Sequence, residues 1–161
     1  MPGERFTTCL WFDKNGEEAA RFYTGIFKNS RIGDVARYTK EAAEVSGQPE
    51  GAVLTVAFEL DGRSFLALNG GPLFKFSEAI SLVVNVDTQA ELDHYWNRLS
   101  EGGEPKSQQC GWLKDKFGLS WQIVPSIVPK LMADPVKGPK AMAAILKMKK
   151  LDIAAIEKAA G

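Results

Sequence analysis

Two stretches of this sequence, offset by 73 residues, carry the same pattern: a short apolar strand followed by the start of an amphipathic helix. In each stretch an Asn or Thr stands three residues before a glutamate, as at a helix N-terminus, and aromatic residues then recur at helical spacing. The offset places Asn15 on Thr88, Glu18 on Glu91, Phe22 on Tyr95, Tyr23 on Trp96 and Ile26 on Leu99. Two unrelated strand–helix units could share these caps by chance, but the coincidence of caps, acids and aromatic pairs favours an internal duplication.

Segments typical of β-strands surround both helices. They are residues 7–12, 33–38, 52–60 and 63–68 in the first half, and 80–86, 110–114 and 119–124 in the second. Asp61-Gly62 between two apolar runs predicts a tight hairpin, and residues 40–51 are predicted to form a polar loop. The sequence therefore predicts an α+β fold of two βαβββ-like modules, 6–69 and 80–125, of which the second has shorter strands.

The composition changes after residue 125. Residues 126–161 are rich in Ala, Lys, Leu and Met, which predicts a helical C-terminal extension. Its apolar positions are Met142, Ile145, Leu146 and Met148. Six lysines lie between residues 130 and 150 with a single acid, Asp134, and they are interpreted as a solvated helix face because no nucleic-acid-reading motif accompanies them.

Charge and cysteine content exclude several classes of function. The 161 residues contain 20 Lys+Arg and 20 Asp+Glu, so the overall charge favours neither nucleic acid nor an anionic membrane as a partner. Two cysteines are too few for a disulfide framework, and no apolar stretch is long enough to span a membrane. These features predict a cytoplasmic protein with reduced thiols.

Few residues are candidates for chemistry. His94 is the only histidine, which excludes a hydrolytic triad and a His-rich metal site. Strand alternation places Thr7, Cys9 and Trp11 on one face of the first strand. The same argument pairs Cys110 with Trp112 and Ser120 with Gln122. Such faces are typical of a small-molecule cavity with a few polar groups, or of an ordinary amphipathic sheet, and the pattern alone leaves both open.

Three segments resemble a known family. They are 10–23, which contains Leu-Trp-Phe and Asn-Gly-Glu-Glu-Ala-Ala-Arg-Phe-Tyr, then 110–125, Cys-Gly-Trp-Leu-Lys-Asp-Lys-Phe-Gly-Leu-Ser-Trp-Gln-Ile-Val-Pro, and the tail 148–155. They are similar to the PhnB-like proteins of the vicinal oxygen chelate superfamily, which includes glyoxalase I, extradiol dioxygenases, and fosfomycin and bleomycin resistance proteins. The resemblance implies one glyoxalase/bleomycin-resistance-like domain over residues 1–161, with curved mixed sheets around a cavity, commonly in a homodimer.

The resemblance also implies metal ligands, usually His, Gln or Glu, on the first and last strands of each module. Carried over, these positions are Thr7, Asn69, Ser81 and Gln122. None is a carboxylate or an imidazole, so the prediction is no catalytic metal and no other cofactor. Such proteins are also often labelled 3-demethylubiquinone methyltransferases. The turn after the first strand has a single glycine, Gly16, which argues against a binding site for S-adenosylmethionine.

The resulting prediction is a protein that binds an unidentified small molecule and associates with neither nucleic acid nor membrane. The candidate ligand-binding residues are Thr7, Cys9, Trp11, Asn69, Ser81, Cys110, Trp112 and Gln122. The alternatives are a metal-dependent lyase, isomerase or oxygenase of the same superfamily, with Gln122 as one ligand, and a purely structural dimer.

Overall fold

The computed structural model describes residues 4–161, and the chain divides into two compact units at the boundary between Lys75 and Phe76. Each unit contains one sheet, of four strands in the first and three in the second. The predicted mixed α+β class with a helical C-terminal part is therefore confirmed. No helix among residues 4–161 combines the length and the apolar character needed to cross a membrane.

The first unit contains the predicted β-α-β-β-β order with one additional helix. Its elements are β1 (Thr8–Phe12), α1 (Gly16–Thr24), β2 (Arg31–Arg37), α2 (Lys40–Ser46), β3 (Val53–Leu60) and β4 (Arg63–Asn69). The sheet order is β1-β4-β3-β2, in which β1 runs parallel to β4 and the other pairs are antiparallel. Helix α1 packs against β3 and β4 and buries Ala19, Ala20 and Tyr23 on that side.

The prediction of a polar loop over residues 40–51 was wrong for its first half, which forms α2. Thr39 caps this helix by accepting a hydrogen bond from the amide of Ala42, and Gly47 ends it in the left-handed conformation, at φ +75°. No residue of α2 is buried, so the segment has no apolar stripe from which a helix could be recognised.

The hairpin prediction is confirmed. Asp61 and Gly62 connect β3 to β4 with φ values of +47° and +77°. Positive φ at both central residues is the type I′ turn, whose twist matches that of the flanking strands. The turn sets the register in which Phe58 faces Phe65.

The second unit has three strands where a full module would have four. It consists of β5 (Ser81–Val86), α3 (Gln89–Ser100), β6 (Trp112–Lys114) and β7 (Ser120–Pro125), followed by α4 (Ile127–Met132), α5 (Lys137–Ile145) and α6 (Ile153–Ala160). The sheet order is β5-β7-β6, with β5 parallel to β7 and β6 antiparallel to it. Between α3 and β6 the chain forms only a short 3₁₀ turn, Pro105–Ser107. Gly102, Gly103 and Pro105 disfavour a strand at this point.

Helix α3 begins with the predicted capping box. The Thr88 hydroxyl accepts a hydrogen bond from the amide of Glu91, and the Glu91 carboxylate accepts one from the amide of Asp87. The first bond satisfies an amide that the first helical turn leaves without a partner, and the second fixes the residue before the cap.

The C-terminal helices attach to the turn that precedes β6. The amides of Cys110 and Gly111 donate to the carbonyl oxygens of Met148 and Lys149, each at 2.8 Å. Gln89 on α3 donates to the carbonyl of Leu151 and accepts from the amide of Ile153, at 3.1 and 2.9 Å. The extension is therefore an integral part of the second unit.

Candidate functional site

Each sheet carries its helix on one face, and the predicted site residues lie mainly on the opposite face, here called the open face. On the first sheet, Cys9 pairs with Leu66 and Trp11 with Leu68, and these side chains alternate with the buried ones that pack under α1. Thr7 precedes β1 and is exposed. Cys9 is also exposed, and partial desolvation by neighbouring atoms raises the pKa of its thiol. The first open face is thus apolar around Cys9 and Trp11, and Thr55 and Glu59, which pair with Leu68 and Ser64, add polar groups to the same face.

Trp11 is fixed by the segment that follows β4. Its indole Nε1 donates to the carbonyl of Gly71 at 2.9 Å, and its ring meets Phe74 edge-on at 4.9 Å. The ring also covers Gly70, where an added Cβ would lie 2.3 Å from a ring carbon. Gly70 is therefore needed for close packing, a role that the Gly70-Gly71 pair did not reveal in the sequence.

Asn69 lies on the other side of this sheet, facing α1. It is buried, and its Oδ1 accepts a hydrogen bond from the amide of Gly16 at 2.8 Å while its Nδ2 donates to the carbonyl of Val53 at 3.1 Å. The prediction that Asn15 caps α1 was wrong, because the Asn15 side chain makes no capping bond and Asn69 satisfies the amide of Gly16 instead. Both polar atoms of the Asn69 side chain are thus bonded within the protein.

The open face of the second sheet carries several polar side chains. Strand pairing arranges its side chains in two rows, Lys114–Ser120–Ser81 and Trp112–Gln122–Val83. The amide Nε2 of Gln122 donates to Ser81 Oγ at 2.9 Å and joins the two rows. Ser120 is 1% exposed, and among the described residues its hydroxyl has no hydrogen-bond partner. Three predicted site residues, Ser81, Trp112 and Gln122, therefore come together here.

A lysine and a glutamate that the sequence argument overlooked complete this face. Lys114 Nζ forms an ion pair with Glu78, which lies in the segment before β5. The hydrogen bond from the Lys114 ammonium lowers the pKa of the Glu78 carboxyl, so Glu78 is ionised at neutral pH. The sequence did contain a signal for Lys114. It stands two residues after Trp112 in the same strand, and alternation predicts that the two side chains share a face.

Cys110 does not share a strand face with Trp112, contrary to the prediction. It occupies a two-residue turn with Gly111, at φ +54° and +86°, between Gln109 and Trp112. Gln109 Nε2 donates a hydrogen bond to the Cys110 sulfur at 3.6 Å. The left-handed conformation at Cys110 interrupts the alternation on which the prediction depended.

A buried carboxylate positions β6 against β7. Asp115 Oδ1 accepts hydrogen bonds from the amides of Phe117 and Leu119, and Oδ2 accepts one from the indole of Trp121 at 2.8 Å. The carboxylate is 2% exposed. It closes the turn between the strands that carry Lys114 and Gln122, and so determines which side chains of the site are neighbours.

The residues at the family's metal positions do not fit a divalent metal. Nowhere in residues 4–161 do three His, Cys, Asp or Glu side chains come together as a metal site. Thr7, Ser81 and Gln122 are neutral, and Asn69 already uses both of its polar side-chain atoms. S-adenosylmethionine fits no better at the turn after β1. A Cβ at Gly16 would lie 2.7 Å from Asn69 Oδ1, so the protein itself fills the space before α1.

A family model described as 3-demethylubiquinone-9 3-methyltransferase matches residues 4–124. The chain belongs to this PhnB-like family of the vicinal oxygen chelate superfamily. The PhnB protein of Bacillus cereus, named for the same activity, shares 33% identity over 76% of this chain and all of its own, with a TM-score of 0.64. None of the curated proteins searched matches this chain.

Two more distant structures share the fold alone. Protein PA1353 of Pseudomonas aeruginosa is 20% identical, with a TM-score of 0.59, and covers 76% of this chain and 98% of its own. The fosfomycin resistance protein FosX of Mesorhizobium loti is 15% identical, with a TM-score of 0.55, and the match covers 83% of this chain and 100% of FosX. The family match ends before α4, so the C-terminal helices of this PhnB-like protein lie outside it.

Proposed function

We propose that this PhnB-like protein binds a small organic molecule on the open face of its second sheet, without a catalytic metal. The observation that carries the proposal is the hydrogen-bonded pair Ser81–Gln122 beside the half-buried ring of Trp112. An aromatic surface next to a few oriented polar groups is the usual composition of a small-molecule site. The neutral donor set argues against the superfamily's metal-dependent reactions, and the space filled by Asn69 argues against methyl transfer from S-adenosylmethionine.

The test is a thermal-shift screen with metabolites and antibiotics, repeated on two variants. We expect at least one compound to raise the Tm by more than about 2 °C at saturating concentration, since binding to the folded state adds to its stability. Gln122→Ala should weaken binding about tenfold through the lost polar contact, and Trp112→Ala by more than that. Asn97→Ala, an exposed amide on α3 and therefore on the other side of the sheet, is the matched control and should bind normally.

Two outcomes would count against the proposal: no compound shifting the Tm, or a shift that both site variants retain.

Elemental analysis of the purified, tag-free protein tests the metal-dependent alternative. We expect far less than one equivalent of Zn, Fe, Mn, Ni or Co. A value near one equivalent that is lost in Gln122→Ala would favour a metal-dependent lyase, isomerase or oxygenase.

We also propose a homodimer that functions in the cytoplasm. Strand β2 is a sheet edge with nearly all of its residues exposed, and Met142 and Leu146 on the C-terminal helices are 41% and 58% exposed. A symmetric partner commonly covers such edges and apolar side chains. Light scattering at micromolar concentration should give twice the chain mass of 17.6 kDa, and a monomer mass would contradict the dimer. The free thiols of Cys9 and Cys110 support a reducing compartment.

A further inference from the structure

We infer that the row Lys114–Ser120–Ser81 is a subsite for an oxyanion of the ligand, a carboxylate or a phosphonate, and that Glu78 pairs with the Lys114 of this subsite until the ligand replaces it. This inference rests on the proposed function and names the chemical class of its ligand. It assigns a role to the two groups that the site description leaves unused, the ion pair of Lys114 and the buried hydroxyl of Ser120.

The three side chains lie side by side on neighbouring strands. Lys114 pairs with Ser120 across the antiparallel β6–β7 ladder, and Ser81 pairs with Ser120 across the parallel β5–β7 ladder. Directly paired residues have Cβ atoms about 4.5–5.5 Å apart in antiparallel ladders, within reach of one small group. One ammonium and two hydroxyls in a line form a set of donors that suits a carboxylate or phosphonate.

The hydroxyl hydrogens are available for such a group. Ser81 Oγ accepts from Gln122, and a hydroxyl that accepts one bond still has its own hydrogen to donate. Ser120 Oγ has no partner within residues 4–161 although its residue is buried, and an unsatisfied buried hydroxyl costs free energy. An oxyanion bound between Lys114 and Ser81 would satisfy it.

The ion pair is asymmetric in a way that favours exchange. The Lys114 side chain is 27% exposed, whereas that of Glu78 is 64% exposed. Water can solvate the Glu78 carboxylate when it leaves, and ion pairs at the surface contribute little to stability. The ammonium of Lys114 therefore stays on the face, while its present carboxylate partner is the replaceable one.

The experiment titrates ¹⁵N-labelled protein with methylphosphonate and with acetate against chloride at constant ionic strength. The readout is the chemical shift of the Trp112 indole N–H, identified by its absence in Trp112→Phe, and of the Gln122 side-chain amide. We expect saturable shifts in the wild type, and in Glu78→Gln an apparent Kd about fivefold lower or better, because the competing carboxylate is removed. Lys114→Met should abolish the saturable shift and Ser120→Ala should weaken it several-fold. Lys116→Met removes a neighbouring exposed charge and should behave as wild type.

Two results would overturn the inference: shifts in Lys114→Met equal to those of the wild type, or binding in Glu78→Gln no tighter than in the wild type. Failure of the subsite is distinguishable from failure of the proposed function. A compound from the thermal-shift screen that depends on Gln122 and Trp112 but binds Lys114→Met normally would refute the subsite and leave the function standing. If no compound and no anion binds, both are wrong.

Discussion

Asp115→Ala should lower the free energy of unfolding by about 3 to 5 kcal/mol, because it removes a charged acceptor shared by three donors. The indole of Trp121 and the amide of Leu119 would remain buried without this acceptor. Asp115→Asn keeps an oxygen that accepts from the backbone amides, but its NH2 group, a donor, would face the indole N–H, which is also a donor. We therefore expect it to lower the free energy of unfolding by about half as much as Asp115→Ala. Urea denaturation followed by tryptophan fluorescence measures both variants.

Asp134→Ala is the matched control for Asp115. The Asp134 carboxylate also accepts hydrogen bonds from two backbone amides, those of Val136 and Lys137, but water can replace it there because these bonds are exposed. The control should cost much less stability than Asp115→Ala. If Asp115→Ala lowers the free energy of unfolding no more than Asp134→Ala does, the hydrogen bonds of Asp115 do not hold the β6–β7 turn. The turn matters for function because it places Lys114 and Trp112 beside Ser120 and Gln122.

Asn69→Ala should destabilise the first unit by about 2 to 4 kcal/mol. The substitution leaves the buried amide of Gly16 and the carbonyl of Val53 without their partner, and it removes the cap of α1. Asn69→Asp keeps the acceptor for Gly16, but it buries a carboxylate whose second oxygen would face the carbonyl oxygen of Val53, so it should not restore the stability. Chemical denaturation gives the free energy, and faster hydrogen exchange at the Gly16 amide locates the change.

Asn97→Ala provides the comparison for Asn69, because Asn97 is exposed on α3. Its replacement should leave stability within about 0.5 kcal/mol of the wild type, as for most surface positions. If Asn69→Ala is equally mild, or if hydrogen exchange at Gly16 is unchanged in it, the capping role of Asn69 is refuted.

The two helix caps show which parts of the fold could be predicted from the sequence. At α3 the prediction is confirmed because Thr88, Glu91 and Asp87 lie within four residues of one another and their bonds depend on local geometry alone. At α1 the same pattern failed. The partner of the Gly16 amide is Asn69, on a strand 53 residues away, and no spacing rule reaches that far.

In the candidate site, too, some features could be predicted from the sequence and others could not. Alternation along β7 was enough to place Ser120 and Gln122 on one face, because the direction of a strand side chain follows from its position. Ser81 entered the prediction only through the family resemblance, and the pairing of β5 with β7 brings it to Gln122. It failed at Cys110, where a left-handed residue interrupts the strand. Periodicity also gave no sign of α2, whose residues bury no apolar stripe.

Local patterns in this sequence were thus sufficient for the duplicated strand–helix units, the Asp61-Gly62 hairpin and the α+β class, since periodicity, helix caps and turn residues reveal each of these features within a few neighbouring residues. Contacts between distant segments decided the rest. The ion pair of Lys114 with Glu78, the buried hydroxyl of Ser120 and the second bonding partner of Asn69 all depend on how strands lie beside one another. Strand register is determined by the packing of a whole sheet, and only the folded chain brings such groups into one site.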